Sequence, residues 1–251
     1  MLGEIFVEKI NDIEFVVKEE KNLGVLNIFC DGKLLDTKNI DVKWIVYLSY
    51  SEKNSILLGS GYGNGEVFSV GISNNKFTDK VSVFSERDNA RRKDSMSHSI
   101  VLDVNENYAY SANLGLDKIY IYKVSKDGLQ QIGSYDLPEG TGPRHIAFGK
   151  NNMMYVVSEN SNEMFVFKQD VFSGELELVE HKSILPDDFS GVSYGGTLIV
   201  QQDNRFLLTN NRGANTIAVF KIYDDGKINK VADLDYKLFD FYKAKENVYG
   251  L

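Results

Sequence analysis

Five ionisable residues stand at matching points of a repeated pattern: His98, Arg144, His145, Glu159 and Arg212. A histidine side chain ordinarily titrates at about 6.5, so His98 could act as a base at neutral pH. Arg144 and Arg212 stay protonated and can each direct two N–H groups onto a carboxylate or phosphate. Glu159 could orient the histidine or an arginine, or share in proton transfer. We therefore predict a composite site in which His98 and Glu159 are catalytic and the arginines bind an anionic substrate.

Asn113 and His145 are two further candidates for binding substrate. Asn113 and Asn160 stand in positions comparable to Asn211, at the ends of second strands, where their amides could line the site or cap turns. His145 follows Arg144 on one strand, so strand alternation would send its side chain to the opposite face, which favours a structural role.

The main candidates also have structural alternatives. His98 could be a hydrogen-bonded packing residue at the start of an inner strand. Glu159 could simply pair with Arg144, and Arg212 lies at a strand-end turn where arginines are often solvated. The residue types alone therefore leave function and structure both open.

The repeated pattern predicts the elements that must position these residues. Its copies begin at Ser97, Pro143 and Gly196, with a weaker copy at Lys43. Each copy is a short apolar strand, a polar turn, a second strand with small or polar residues at its end, and a third, alternating strand. A period of about 40 to 55 residues with several strands is typical of a β-propeller, whose blades converge on a central funnel.

We predict an all-β propeller of four-stranded antiparallel blades, with about five recognisable blades of a seven-bladed type. The units are expected at about 1–38, 40–82, 96–136, 143–182 and 195–235. Turns between third and fourth strands are expected at pairs that tolerate positive φ: Asp31-Gly32, Asp127-Gly128, Ser173-Gly174 and Asp225-Gly226. Residues 1–251 are expected to form a single domain, which could be incomplete at both ends. The segment after Asp233 is expected to form a helix or a closing strand.

Composition narrows the classes of partner. A net charge of −8 and a pI near 5.0 argue against nucleic-acid binding, although convergent arginines could still bind a small anion. No apolar run is long enough for a membrane span, and the acidic N-terminus does not resemble a secretory signal, so we expect a cytoplasmic protein. The single cysteine, Cys30, and the lack of metal-ligand spacings predict neither a metal site nor a cofactor. The basic run Arg91-Arg92-Lys93 is expected in a solvated loop, or as a mobile positive lip near His98.

The chain resembles the seven-bladed propeller lactonases, a family that includes bacterial 6-phosphogluconolactonase and the fungal carboxy-muconate lactonizing enzyme. The similar strings are SHSIVLD with YAYSANLGLDKIYIYKV, GTGPRHIAFGKNNMMYVVSENSNEMFVFK, and LPDDFSGVSYGGTLIVQQDNRFLLTNNRGANTIAVFKI. The resemblance implies that His98 is the catalytic histidine, Arg144 the Gly-Pro-Arg-His arginine, Glu159 the strand-end glutamate and Arg212 the Asn-Arg-Gly arginine. It implies hydrolysis of a sugar-acid lactone such as 6-phosphogluconolactone.

The chain also departs from the family pattern. It supplies about five repeats where the family usually has seven blades, and it has Lys43-Trp44-Ile45 where the family tends to show Pro-x-His. Unpaired sheet edges would favour self-association through open blade edges. Two functional alternatives therefore stay open: a non-catalytic propeller that binds a ligand or protein, and a lactonizing isomerase of an unsaturated diacid.

Overall fold

A computed structural model describes residues 6–20, 23–87 and 94–235 of the chain. Their twenty strands form five antiparallel sheets, and each sheet consists of four strands consecutive in sequence. The predicted all-β architecture of five four-stranded units is therefore confirmed. The basic run Arg91-Arg92-Lys93 and the C-terminal segment after Asp235 lie outside the described residues, so the expectations for both stay predictions.

The sheets are numbered in chain order. Sheet 1 contains β1 (Phe6–Ile10), β2 (Ile13–Glu20), β3 (Leu23–Cys30) and β4 (Lys33–Ile40). Sheet 2 contains β5 (Ile45–Ser51), β6 (Ile56–Gly61), β7 (Glu66–Ser73) and β8 (Lys76–Ser85). Sheet 3 contains β9 (Ser97–Leu102), β10 (Tyr108–Asn113), β11 (Lys118–Ser125) and β12 (Gly128–Asp136). Sheet 4 contains β13 (Pro143–Phe148), β14 (Met153–Ser158), β15 (Glu163–Gln169) and β16 (Leu176–Ser183), with a 3₁₀ turn at Lys150–Asn152. Sheet 5 contains β17 (Tyr194–Val200), β18 (Phe206–Arg212), β19 (Thr216–Ile222) and β20 (Ile228–Asp235).

The tight turns between third and fourth strands follow from residues that accept positive φ. In sheet 1, Asp31 and Gly32 have φ values of 50° and 72°, as a two-residue hairpin turn requires. Gly128, Gly174 and Gly226 also have positive φ, so all four predicted turns are confirmed. Sheet 2 makes the same turn with Asn74-Asn75, a pair that the sequence analysis did not single out.

The central strands are buried on both faces. Every residue of β6, β10 and β14 is buried, and along β11 the run from Ile119 to Tyr122 is buried without interruption. The alternation expected along β11 therefore does not separate buried from exposed residues, because side chains on both faces of this strand are buried. The apolar cores join sheets 1 and 2 around Phe15 and Phe68, sheets 2 and 3 around Tyr122, and sheets 4 and 5 around Phe220.

The first strand of four sheets carries an irregularity near its start. The strand register skips one residue of the first strand in three of them: Val46 in β5, His98 in β9 and Arg144 in β13. In β17 the register shifts between Gly195 and Leu198. Such β-bulges interrupt the alternation of side chains and re-aim them, and they are common next to active sites.

The chain forms two compact units, Met1–Asp136 and Leu137–Leu251. Sheets 1 to 3 belong to the first unit, and sheets 4 and 5 belong to the second. The expectation of one domain over residues 1–251 stays a prediction. Within the described ranges, no helix has the length and apolar character needed to cross a membrane.

Candidate active site

Two guanidinium groups bind one carboxylate oxygen in the second unit. Arg144 donates from Nε to Glu159 Oε2 over 2.9 Å, and Arg212 Nη2 lies 2.7 Å from the same oxygen. The side chains of Arg144 and Glu159 are 15% and 20% exposed, whereas that of Arg212 is 44% exposed. We call these three residues the Arg–Glu–Arg cluster. A dissolved ligand would therefore reach the guanidinium of Arg212 first.

Backbone contacts hold this cluster in place. Glu159 directly follows β14, and its N–H donates to the Gly142 carbonyl over 2.7 Å. Its own carbonyl accepts from the Gly195 N–H over 2.9 Å, and the Gly195 carbonyl accepts from Arg212 Nη2 over 3.0 Å. Gly142 has a φ of 60°, and a Cβ there would overlap the Asn160 side chain. Glycine at position 142 is therefore required for the close approach of the two segments.

His145 lies beside Arg144 and not on the opposite face. Arg144 Nη1 and His145 Nε2 are 3.2 Å apart. Because a guanidinium can only donate, Nε2 accepts, and the imidazole is neutral with its proton on Nδ1. The expectation from strand alternation is wrong here because the extra residue of the bulge at Arg144 breaks the period of two.

The electrostatic balance of this region favours an anion. Arg144 and Arg212 contribute two positive charges, Glu159 contributes one negative charge at neutral pH, and the imidazole of His145 is neutral in this hydrogen bond. These four side chains together therefore carry a net positive charge. The structural alternative for Glu159 is also present, since the ion pair with Arg144 forms.

His98 lies in the first unit, at the bulge of β9. The residues on either side of it pair with β10, Ser97 with Asn113 and Ser99 with Ala112, so His98 is the extra residue. Its half-buried ring meets the ring of Tyr62 edge to face, with centroids 5.6 Å apart and planes at 80°. Tyr62 could not be predicted from the sequence, because nothing in its local pattern indicates a contact with the next sheet.

Asn113 is fully buried, and its amide is used within the first unit. Nδ2 donates to Glu86 Oε2 and to Ser95 Oγ, both over 2.8 Å. Oδ1 accepts from the N–H groups of Met96 and Leu116, each over 3.1 Å. Of the two roles considered for this amide, turn capping is the one that these bonds display. Its predicted contact with substrate stays a prediction.

The residue comparable to Asn113 in sheet 4 is Ser158 and not Asn160. Asn113 pairs with Ser97, Ser158 pairs with Pro143, and in sheet 5 Asn211 pairs with Gly195. Asn160 is two residues farther along and exposed. The expected equivalence of Asn160 with Asn211 is therefore wrong by two residues. The polar residues after β14 look alike in the sequence, so its last residue could not be told from those of the turn.

A buried carboxylic acid that the sequence analysis missed lies next to the strand of His98. Glu86 is fully buried, and it accepts from Asn113 Nδ2 and from the hydroxyl of Tyr122, both over 2.8 Å. Burial raises the pKa of Glu86 to about 7, and hydrogen bonds from Asn113, Tyr122, Ser111 and Ser97 offset part of this rise. Its local sequence, SERDNARRKDSMS, is so polar that it predicted a solvated loop.

The structure thus brings together four predicted site residues in the second unit: Arg144, His145, Glu159 and Arg212. His98 and Asn113 lie in the first unit. Asn113 on β10 pairs with Ser97 on β9, the residue directly before His98. The predicted convergence of His98 with the Arg–Glu–Arg cluster stays a prediction.

The antiparallel four-stranded sheets define the chain as a β-propeller protein. The model of the lactonase family of seven-bladed β-propellers matches residues 6–237. The chain belongs to that family.

Curated relatives agree with this assignment. The chain is 30% identical over 208 residues to 6-phosphogluconolactonase of Bacillus subtilis, which covers 81% of this chain and 58% of the relative. It is 28% identical over 220 residues to an uncharacterized protein of Staphylococcus epidermidis, with coverages of 85% and 61%. The chain therefore spans less than two thirds of the length of these relatives.

Solved structures show the same fold. A protein from Lactobacillus plantarum superposes with a TM-score of 0.83 at 22% identity, covering 92% of this chain and 71% of that one. The periplasmic gluconolactonase PpgL of Pseudomonas aeruginosa gives 0.79 at 22% identity, with coverages of 91% and 71%. A putative 6-phosphogluconolactonase from Bacteroides fragilis gives 0.77 at 18% identity, with coverages of 92% and 70%.

Proposed function

We propose that this protein hydrolyses a sugar-acid lactone of the 6-phosphogluconolactone type. The observation that carries the proposal is the Arg–Glu–Arg cluster, in which two guanidiniums are fixed on one carboxylate oxygen. Membership of the lactonase family and the relative named 6-phosphogluconolactonase support the same reaction.

In this proposal His98 is the general base. Hydrolysis needs a group that takes a proton from water while the water oxygen attacks the lactone carbonyl carbon. A neutral imidazole does this at neutral pH, and the edge-to-face contact with Tyr62 fixes the plane of the His98 ring. The ring oxygen of the lactone then leaves as a hydroxyl after receiving a proton, and the product is an open-chain acid.

Arg144 and Arg212 bind the anionic part of the substrate in this proposal. Guanidinium groups match the geometry of phosphate and carboxylate, and they also stabilise the negative charge that develops on the carbonyl oxygen. Arg212 is the more exposed of the two and is proposed to make the first contact. Glu159 orients both guanidiniums, and His145 accepts a hydrogen bond from Arg144 that supports its position.

A lactone panel tests this proposal. Acid release from freshly prepared glucono-δ-lactone and 6-phosphoglucono-δ-lactone would be followed by pH-stat at pH 7, against spontaneous opening. We expect a rate above background, with a lower KM for the phosphorylated lactone. In Arg212→Gln, the KM for the phosphorylated lactone should rise about tenfold or more, because a charged hydrogen bond to the anion is lost.

The matched control is Arg205→Gln, which removes an exposed arginine paired with Asp203 in the turn between β17 and β18 and should leave KM unchanged. No rate above background with either lactone would contradict the proposal and favour a non-catalytic binding protein. Consumption of an unsaturated diacid with ring closure, without hydrolysis of either lactone, would favour the isomerase alternative.

A further inference from the structure

The environment of Glu86 connects the two segments on either side of the His98 ring. The N–H of Glu86 donates to the Gly65 carbonyl over 2.9 Å, at the end of the turn that begins with Tyr62. The Glu86 carboxyl group accepts from Asn113 Nδ2 over 2.8 Å, and Asn113 pairs with Ser97, the residue directly before His98. One residue thus holds both the turn of the aromatic partner of His98 and the start of the bulge that displays His98.

The turn and the bulge also pack directly on each other. Gly65 has a φ of 63°, and a Cβ at this position would overlap Ser95. Ser95 in turn accepts a hydrogen bond from Asn113, which pairs with Ser97 across the bulge. Hydrogen bonds and close backbone packing therefore connect Glu86 both to the turn that carries Tyr62 and to the segment directly before His98.

The hydroxyl groups around Glu86 can accommodate both of its protonation states. Ser97 Oγ and Ser111 Oγ are 2.7 Å apart, and either can be the donor. As a carboxylate, Glu86 accepts from Asn113, Tyr122 and the serine hydroxyls. As a carboxylic acid that has taken one proton from solvent, it has a proton that it can donate to a hydroxyl oxygen such as that of Tyr122.

We propose that Glu86 is a positioning residue for His98, and that its protonation state sets the conformation of the β9 bulge that carries the imidazole. The inference rests on the proposed function for its catalytic meaning. A pKa of about 7 for Glu86 would place the change within the physiological range. Catalysis would then be faster when Glu86 is ionised, because its negative charge favours proton uptake by a nearby base.

Several ionisable groups lie on the elements packed around Glu86. They are Tyr120 and Tyr122 on β11, His98 on β9, Tyr62 in the turn after β6, Glu66 on β7, and the flanking Arg87 and Asp94. Tyr122 contacts the carboxyl group directly. Glu66 binds Asn64 and Ser85, which makes it a suitable control. The basic residues 91–93 are outside the described ranges.

Backbone NMR of the intact chain tests the inference without reference to activity. In His98→Gln, which removes the ionisation of the imidazole itself, the amide signals of Ser97 and Ser99 should still shift with a midpoint near pH 7. Adding Glu86→Gln should abolish that shift, whereas adding Glu66→Gln should preserve it. Amide signals that do not titrate near pH 7, or that titrate equally with and without Glu86, would overturn the inference.

A second variant covers the case in which Glu86→Gln does not fold. Tyr122→Phe, also in the His98→Gln background, removes one donor to the carboxyl group and should move the midpoint at Ser97 to higher pH. An unchanged midpoint in this variant would overturn the inference as well.

Kinetics separate this inference from the proposed function. In the otherwise native chain, Glu86→Gln should match the wild-type kcat at pH 5.5 and fall on the order of tenfold below it at pH 8, with KM changed less than about twofold. A merely structural role would lower kcat at both pH values and would contradict the inference. If the wild-type protein hydrolyses no lactone, the proposed function fails, and the NMR result still decides whether Glu86 controls the bulge.

Discussion

Two glutamates in this molecule experience opposite surroundings. Glu159, in the second unit, is partly exposed and bound by the guanidiniums of Arg144 and Arg212. Glu86, in the first unit, is fully buried, and the described side chains that bind its carboxyl group are neutral amide and hydroxyl groups.

One residue type thus serves two purposes in this protein. Adjacent cations stabilise the charged form of a carboxyl group, whereas burial among neutral partners stabilises its protonated form. The region of Glu159 is thus suited to holding a constant charge pattern for an anionic ligand. The region of Glu86 is suited to changing its charge close to neutral pH.

The largest expected effect is a dependence of stability on pH that comes from Glu86. Its pKa is about 7 in the folded protein against an ordinary value of 4.5. The stabilisation of the protonated form is therefore fully present below pH 4.5 and is lost as the pH rises through about 7. This loss amounts to roughly 3 kcal/mol, at about 1.4 kcal/mol for each tenfold change in proton affinity.

Urea denaturation of the wild type and of Glu86→Gln between pH 4.5 and 8 measures this effect. The free energy of unfolding of the variant, minus that of the wild type, should rise with pH over this range. Glu66→Gln in the same unit should run parallel to the wild type. If the unfolding free energies of the wild type and Glu86→Gln differ by the same amount at every pH, the proposed difference between the two glutamates is wrong.

Replacing Glu159 is expected to have a smaller effect on stability. Glu159→Gln would leave the two arginines close together without their shared carboxylate, and we expect about 2 kcal/mol of destabilisation by thermal or urea unfolding. The value is below that for a fully buried pair because Arg212 is in contact with solvent. Glu163→Gln, which removes a half-buried partner of the exposed His181 in sheet 4, should cost about 0.5 kcal/mol or less. Equal effects of the two substitutions would show that the cluster has no special role.

The smallest expected effect is a difference in stability between variants of two buried tyrosines, Tyr122 and Tyr155. Tyr122 donates to the carboxyl group of Glu86 over 2.8 Å, and Tyr155 donates to the Gly226 carbonyl over 2.9 Å. Tyr122→Phe should destabilise by about 1.5 kcal/mol at pH 8 and less at pH 5, because a bond to an ionised acceptor is stronger. Tyr155→Phe should lower the unfolding free energy by about 1 kcal/mol at both pH values. Identical pH dependence for the two variants would argue against ionisation of Glu86 in this range.

The architecture could be predicted from the sequence because its signals are local. Turns such as Asp31-Gly32 and Asp225-Gly226 follow from the φ values that their residues accept. The cluster of Arg144, Glu159 and Arg212 was predicted because the repeats place these residues at strand ends. A position that recurs in each repeat can be predicted from the sequence without knowing how the sheets pack on one another.

The missed features depend on contacts that no local pattern encodes. Glu86 follows a polar strand and precedes a basic run, yet its carboxyl group is buried against Asn113 of β10 and Tyr122 of β11. His145 was assigned to the wrong face because a bulge, which has no clear sequence signal, adds one residue at Arg144. Tyr62 meets His98 only through the packing of sheet 2 on sheet 3.

Steady-state hydrolysis of 6-phosphoglucono-δ-lactone by wild type and His98→Gln at pH 7.5 is the decisive measurement for the proposed lactonase activity. Circular dichroism and the urea midpoint would verify that the variant is folded. The proposed role of His98 as general base predicts that kcat falls by about a hundredfold or more with little change in KM. A folded His98→Gln protein that retains the wild-type kcat would contradict it.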